Sequence, residues 1–275
     1  MIMKMIRIIV AIVWSIALQQ NLSAQVTKHK IHLSTTDDKR VAIAILIDEI
    51  PGQKFIFTIP EVFTLKGFEG GQGGLGSFSG QDWKITDDGA SVFLADSNYK
   101  YSIKLDLVEA AKKYSVKWKI KFENHSDHVL KDLSAFNCIS MKAAPLFKDD
   151  LMSRTWVSDI KGHKKLIKDV AKTQGIGRRT MQFYPASGGA KDLSGMGWIQ
   201  QWDVNSTEVL SGHTMSIISK DSNWVVNTKV DGKVAYFFNN FEITHGCIHA
   251  APLIAANLKP HKTAVASGSI NFIRQ

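Results

Sequence analysis

Residues 99–123 read YKYSIKLDLVEAAKKYSVKWKIKFE. Tyr99, Tyr101, Ile103, Leu105 and Leu107 take every second position, with Lys100, Ser102, Lys104 and Asp106 between them. After the short stretch from Val108 to Lys113 the alternation resumes. Tyr114, Val116, Trp118, Ile120 and Phe122 then face Ser115, Lys117, Lys119, Lys121 and Glu123. Successive side chains of a strand point to opposite faces, so period two with polar alternates describes strands with one buried and one wet face. The connecting stretch is too short for a crossover helix, so the two strands are expected to form an antiparallel hairpin.

The same reading extends outward. Further strands are expected over 41–48, 54–59, 91–95, 129–140, 214–219, 224–230, 233–238 and 263–272. Asp231-Gly232 and Asp88-Gly89 each separate two such runs, and Asp-Gly in that setting signals a hairpin. Only 163–173 reads as a helix, with Leu166, Ile167 and Val170 on one side. Two stretches break the pattern: the glycine-rich 67–80 and the long 175–197. No helix pattern follows the first, so it is not a nucleotide-binding fingerprint. The expected fold is all-β, a large antiparallel β-sandwich with at most one or two short helices, and residues 25–275 form one domain.

Residues 1–24 have a different character. Lys4 and Arg7 precede a short apolar run from Ile8 to Leu18, and Leu22-Ser23-Ala24 gives a small-residue exit before Gln25. This is the build of a cleaved signal peptide. A membrane anchor would need ~20 apolar residues, about twice what is present. The expected location is therefore periplasmic or secreted, with no stable membrane insertion. The net charge of +9 loses Lys4 and Arg7 on cleavage and falls to +7. The remaining lysines are scattered among strand alternates, so they mark a solvated face, and nucleic acid is not an expected partner. Oligomeric state is left open by these patterns.

Cys138 and Cys247 are the only cysteines. In an exported chain they fit one disulfide, or two buried thiols that never meet. Cys247 lies in the densest constellation, the segment EITHGCIH from Glu242 to His249. If it is extended, His245, Cys247 and His249 share a face. That suggests a transition-metal site, but three ligands on one strand crowd a tetrahedral ion, and neither metal nor cofactor is expected. In a second reading His249 works as an acid–base residue with Glu242 or Asp203. In a third, these residues only pack and hydrogen-bond within the fold.

Arg154, Trp156, Trp198, Gln200 and Trp202 form a second candidate group around the long loop. Aromatic faces suit the C–H surfaces of sugars and planar polar groups fix hydroxyls, so this set fits a carbohydrate or other small polar ligand. The alternative is a tryptophan-rich core, where Trp118 and Trp224 belong. Asp149-Asp150 reads as a solvated turn. No G-x-S-x-G, H-E-x-x-H, C-x-x-C or Walker sequence is present.

The stretch from Lys117 to Ser126, KWKIKFENHS, resembles a strand-and-turn of galactose-mutarotase-like supersandwiches. Cys247-Ile248-His249-Ala250-Ala251-Pro252, with Leu258-Lys259-Pro260-His261, is similar to the tails of exported bacterial β-sandwich proteins; His261 stands where those carry glycine. The resemblance implies a sugar-holding cleft on a concave sheet, with a histidine and a carboxylate as acid and base. That would cast His249 as one and Glu242 or Asp203 as the other. It is equally compatible with a non-catalytic binding or scaffold module of the cell envelope.

Overall fold

The computed structural model describes residues 29–37, 41–66, 83–95, 97–172, 180–189, 193–197, 199–202, 204–242 and 245–275, with the side chains of Gln200 and Gln201 left out. The expected signal peptide, the stretch 67–80, Trp198 and Asp203 lie outside the described residues. Among those described, no helix is long and apolar enough to cross a membrane.

The hairpin at 99–123 is present. Strands β6 (Tyr99–Ala110) and β7 (Lys113–Asn124) pair without a break from Tyr99↔Asn124 to Ala110↔Lys113. Lys112 turns the chain at φ 61°. Tyr101, Ile103, Leu105, Trp118, Ile120 and Phe122 are buried, while Lys113, Lys117, Lys119 and Lys121 are exposed.

This hairpin lies within a nine-stranded antiparallel sheet. Its order is β10 (Lys164–Leu166), β9 (Thr155–Asp159), β12 (Leu210–Ile218), β13 (Trp224–Val230), β16 (Thr263–Arg274), β7, β6, β5 (Gly89–Ala95) and β4 (Lys84–Thr86). A seven-stranded antiparallel sheet faces it, in the order β1 (Ile31–Ser34), β2 (Ala42–Ile47), β3 (Lys54–Lys66), β8 (Leu130–Ala143), β15 (Cys247–Leu258), β14 (Val234–Asn240) and β11 (Met181–Pro185).

The main core fills the space between the sheets. Phe63 of β3 meets Tyr101 and Phe122 edge-on, each at 4.9 Å, and Phe55 meets Phe272 at 4.8 Å. Each such buried ring contributes ~1.5–3 kcal/mol from burial alone. One glycine is required by this packing. Gly268 pairs with Trp118, and a Cβ there would stand 2.3 Å from Trp118 Cζ2 and 2.1 Å from the Lys229 carbonyl oxygen.

Two local expectations are corrected. The Asp88-Gly89 hairpin joins β4 to β5, but Asp231-Gly232 carries the chain from one sheet to the other. Both edges of β13 are taken by β12 and β16, and both edges of β14 by β15 and β11. A tight turn fixes a reversal; free edges decide whether the strands it joins pair. The expected helix at 163–173 is instead the short strand β10 and a single 3₁₀ turn, Ile167–Asp169. Asp159 Oδ1 accepts the backbone N–H of Lys161 and of His163, closing a hairpin with β9. Ile167 and Val170 then bury from a three-residue turn as well as from an α-helix.

Candidate functional site

The seven-stranded sheet is buried on part of its outer face as well. There the strands lose their alternation: six of the seven residues of β14 are buried, as is the central run of β8. Phe136 and Cys138 of β8, Tyr236 and Phe238 of β14, and Met181 and Phe183 of β11 point outward into a second, smaller hydrophobic cluster. Leu193, Met196, Ile199 and Val204 cover it. Met196 bridges to Lys66 and Asn205 to Phe183, so this covering segment is pinned at both sides of the sheet.

The cover stops short of the end of the sheet, leaving a cleft of about 520 Å³. Its floor is Phe136, Phe238, Cys138, Cys247 and His249. Its walls include Glu61, Ser140, Lys142, Trp202, Asn240 and His245. Strand register assembles the floor. Cys247 pairs with Ser140 and Ile248 with Ile139, and the same register puts His249 opposite Cys138. On the other edge of β15, His249 pairs with Phe238 and Cys247 with Asn240.

His249 is fully buried, with 0% of its surface exposed. Its ring stacks on Phe136 at 4.1 Å and meets the edge of Phe238 at 4.9 Å. Nε2 lies 3.1 Å from Cys247 Sγ, and Nδ1 has no hydrogen-bond partner among the described residues. Both cysteines are thiols, not a disulfide, and each is 6% exposed. One donor atom from each of Cys138, Cys247 and His249 lies within 4.8 Å of the other two. A hydrogen bond with Cys138 holds the Cys247 thiol well below the ordinary thiol range, against the opposing effect of burial; the His249 and His245 rings add to the lowering.

Of the sequence candidates, Cys138, Cys247, His245, His249 and Trp202 meet in this cleft. Glu242 does not line it. Its backbone N–H donates to Asn240 Oδ1 and its carbonyl accepts from the His245 N–H, so it builds the turn after β14. Among the described residues, the carboxylate on the cleft wall is Glu61. Asp203, Trp198 and the Gln200 side chain lie outside the description.

Arg154 and Trp156 belong to the other sheet. The Arg154 guanidinium donates to the carbonyls of Leu146, Lys148 and Ile218, and its Nε lies 3.7 Å from Asp149. It ties these carbonyls together beside β9, away from the cleft lining. Trp156 pairs with Leu166 and Ser216 within the nine-stranded sheet. Asp149 is buried, correcting the solvated-turn reading. It accepts the N–H of Ser153 and of Arg154 and the Thr155 hydroxyl at 2.8–3.0 Å. Missing from the sequence candidates were Glu61, Phe136, Phe238 and Asn240. For Phe136 the period-two set Phe136, Cys138, Ser140 was the available signal, and the mixed alternates Ala135, Asn137 and Ile139 blurred it.

No family model matches the chain, and no curated protein matches it by sequence. Among solved structures it is similar to the Slr1438 protein from Synechocystis sp., with 10% identity, 89% of this chain and 95% of that one covered, and a TM-score of 0.46. It is also similar to a galactose mutarotase related enzyme from Lactobacillus acidophilus (8% identity, 89% and 97% covered, TM-score 0.44). A galactose mutarotase-like protein from Clostridium acetobutylicum gives 11% identity, 89% and 98% covered, and a TM-score of 0.44.

Proposed function

We propose that this chain is an exported carbohydrate-binding or carbohydrate-processing protein that takes a sugar-sized ligand in the cleft on the outer face of the seven-stranded sheet. The observation that carries this is the make-up of the cleft. Trp202 supplies aromatic surface beside the buried rings of Phe136 and Phe238, while Glu61, Ser140, Lys142, Asn240 and His245 supply hydrogen-bonding groups. A sugar presents both kinds of surface, and about 520 Å³ falls within the ~300–1,000 Å³ common for small-molecule sites.

General acid–base chemistry in this cleft would fall to His245 and Glu61. His249 is sealed beneath Phe136 and Cys247 and has no surface to offer a substrate. That sealing favours a second reading, a binding module of the cell envelope without catalysis.

Calorimetric titration with neutral and acidic mono- and oligosaccharides tests the ligand class. Binding that weakens at least tenfold in Trp202→Ala and Asn240→Ala supports it; no binding to any glycan overturns it. Anomer interconversion of the bound sugar, followed by NMR and lost in Glu61→Gln, separates processing from binding. Export is checked by the mature N-terminus, expected at Gln25.

A further inference from the structure

We infer that Cys138, Cys247 and His249 form a zinc site in the floor of the cleft, with one coordination position open toward the cleft. The three come from two neighbouring strands, and all leave the sheet on the same face. Two thiolates and an imidazole are the donor types that zinc favours, and an open fourth position distinguishes reactive zinc sites from closed structural ones. A tetrahedral ion with Zn–S ~2.3 Å and Zn–N ~2.0 Å holds its donors ~3.5–3.8 Å apart. The three donor atoms already lie within 4.8 Å of one another. Closing onto an ion therefore needs side-chain shifts of ~1 Å or less, with the backbone unmoved.

Charge selects the ion. The floor is apolar, built on Phe136 and Phe238, and an uncompensated charge there is costly. Two thiolates, a neutral ring and a divalent ion sum to zero, whereas a monovalent soft ion would leave a buried negative charge. Crowding on one strand argued against a site made of His245, Cys247 and His249. Cys138 relieves it by bringing a ligand from across the sheet. The inference uses the same cleft as the carbohydrate reading but does not rest on a sugar occupying it.

The test uses the full chain, purified under reductant, stripped with chelator and titrated with zinc against a chromophoric competitor. One equivalent is expected to bind. Cys138→Ser, Cys247→Ser and His249→Gln should each lose at least about tenfold in affinity, the lower end of what even outer-shell changes cost at metal sites. Cobalt replacing zinc should give sulfur-to-cobalt charge transfer in the near ultraviolet and the intense visible bands of a tetrahedral ion. Because the chain has only two cysteines, that absorption can arise only from this pair. The spectrum is read on the unsubstituted protein, so it decides the matter even where a variant fails to fold. Absence of stoichiometric binding with both thiols reduced overturns the inference. So does cobalt bound without thiolate absorption, or a Cys138–Cys247 disulfide that persists under reductant. Glycan titration of the metal-free protein is a separate readout, so either proposal can fail while the other stands.

Discussion

The outer faces of the two sheets are made from the same pleat and have opposite fates. On β7, Lys117, Lys119 and Lys121 alternate with buried residues and stand in solvent. On β8, β14 and β15 the corresponding positions hold Phe136, Cys138, Phe238, Cys247 and His249, all buried. A sheet wet on one side reads as alternation, whereas one covered on both sides reads as a continuous apolar run. The loss of alternation in three adjacent strands therefore marks where the chain has covered a sheet twice, and the cleft opens at the limit of that cover.

The largest expected effect tests whether the outer cluster is a true core. Phe136→Ala and Phe63→Ala should each destabilise the protein by ~3–5 kcal/mol in urea denaturation, since both rings are fully buried among other aromatics. A cost below ~1 kcal/mol for Phe136→Ala would mean that the covering segment leaves the face wet, and the contrast would collapse. Next in size is Gly268→Ala. The added methyl would meet the Trp118 ring and the Lys229 carbonyl, and a loss of ~1–3 kcal/mol is expected from overpacking. Trp118→Leu in the same chain should recover part of that loss, because one of the two obstructions is gone.

These cases show what was legible beforehand. The β6–β7 hairpin was, because ten side chains alternate without exception around a short turn. The sandwich class followed from repetition of that pattern. The Asp231-Gly232 crossing was not, because a turn dipeptide carries no information about which strand edges are already occupied. In the cleft, His249 and Trp202 stood out by residue type. Cys138 stood out only as a possible disulfide partner of Cys247; its link to His249 was not legible, since it exists only through the register of β8 against β15. Arg154 shows the same limit: its chemistry suits a ligand, and nothing in the sequence told that its guanidinium would also reach the carbonyls of Leu146, Lys148 and Ile218.

A lysine on the inside sharpens the contrast by pH. Lys172 Nζ donates to the Ile167 carbonyl, lies 2.6 Å from the Tyr184 hydroxyl and sits 4.7 Å above that ring. Burial lowers its pKa from 10.5 to about 8. Below pH 8 it is charged in both folded and unfolded chains, and the cost of burying the charge is carried in full. Between 8 and 10.5 the unfolded chain holds more protons, so this residue's contribution to stability rises with pH. Tyr184, pushed well above the ordinary phenol range by burial, works the other way as the unfolded phenol ionises at about pH 10, but it is present in wild type and Lys172→Met alike and drops out of their difference. The stability difference between wild type and Lys172→Met should therefore shift toward wild type from pH 8 to 10, by less than the one-proton limit of ~1.4 kcal/mol per pH unit. A flat difference would place the Lys172 ammonium in solvent.

The smallest expected effect lies on the wet face, at a large apolar side chain set among its lysines. Phe93 is 63% exposed and lines a shallow groove with Lys84, Lys104, Lys119 and Lys121. An aromatic so exposed has little burial to lose, and the Lys121–Glu123 pair beside it is exposed on both sides. Phe93→Ser, Lys119→Ser and Lys121→Ser should each change stability by no more than about 0.5 kcal/mol. The informative result is the sum. Strand alternates on a solvated face act independently when they share no buried partner, so the triple variant should match the added single effects within ~0.5 kcal/mol. A triple variant losing several kcal/mol would show that this face, too, is covered by something, and the lysines would then be contact residues instead of a solvated surface.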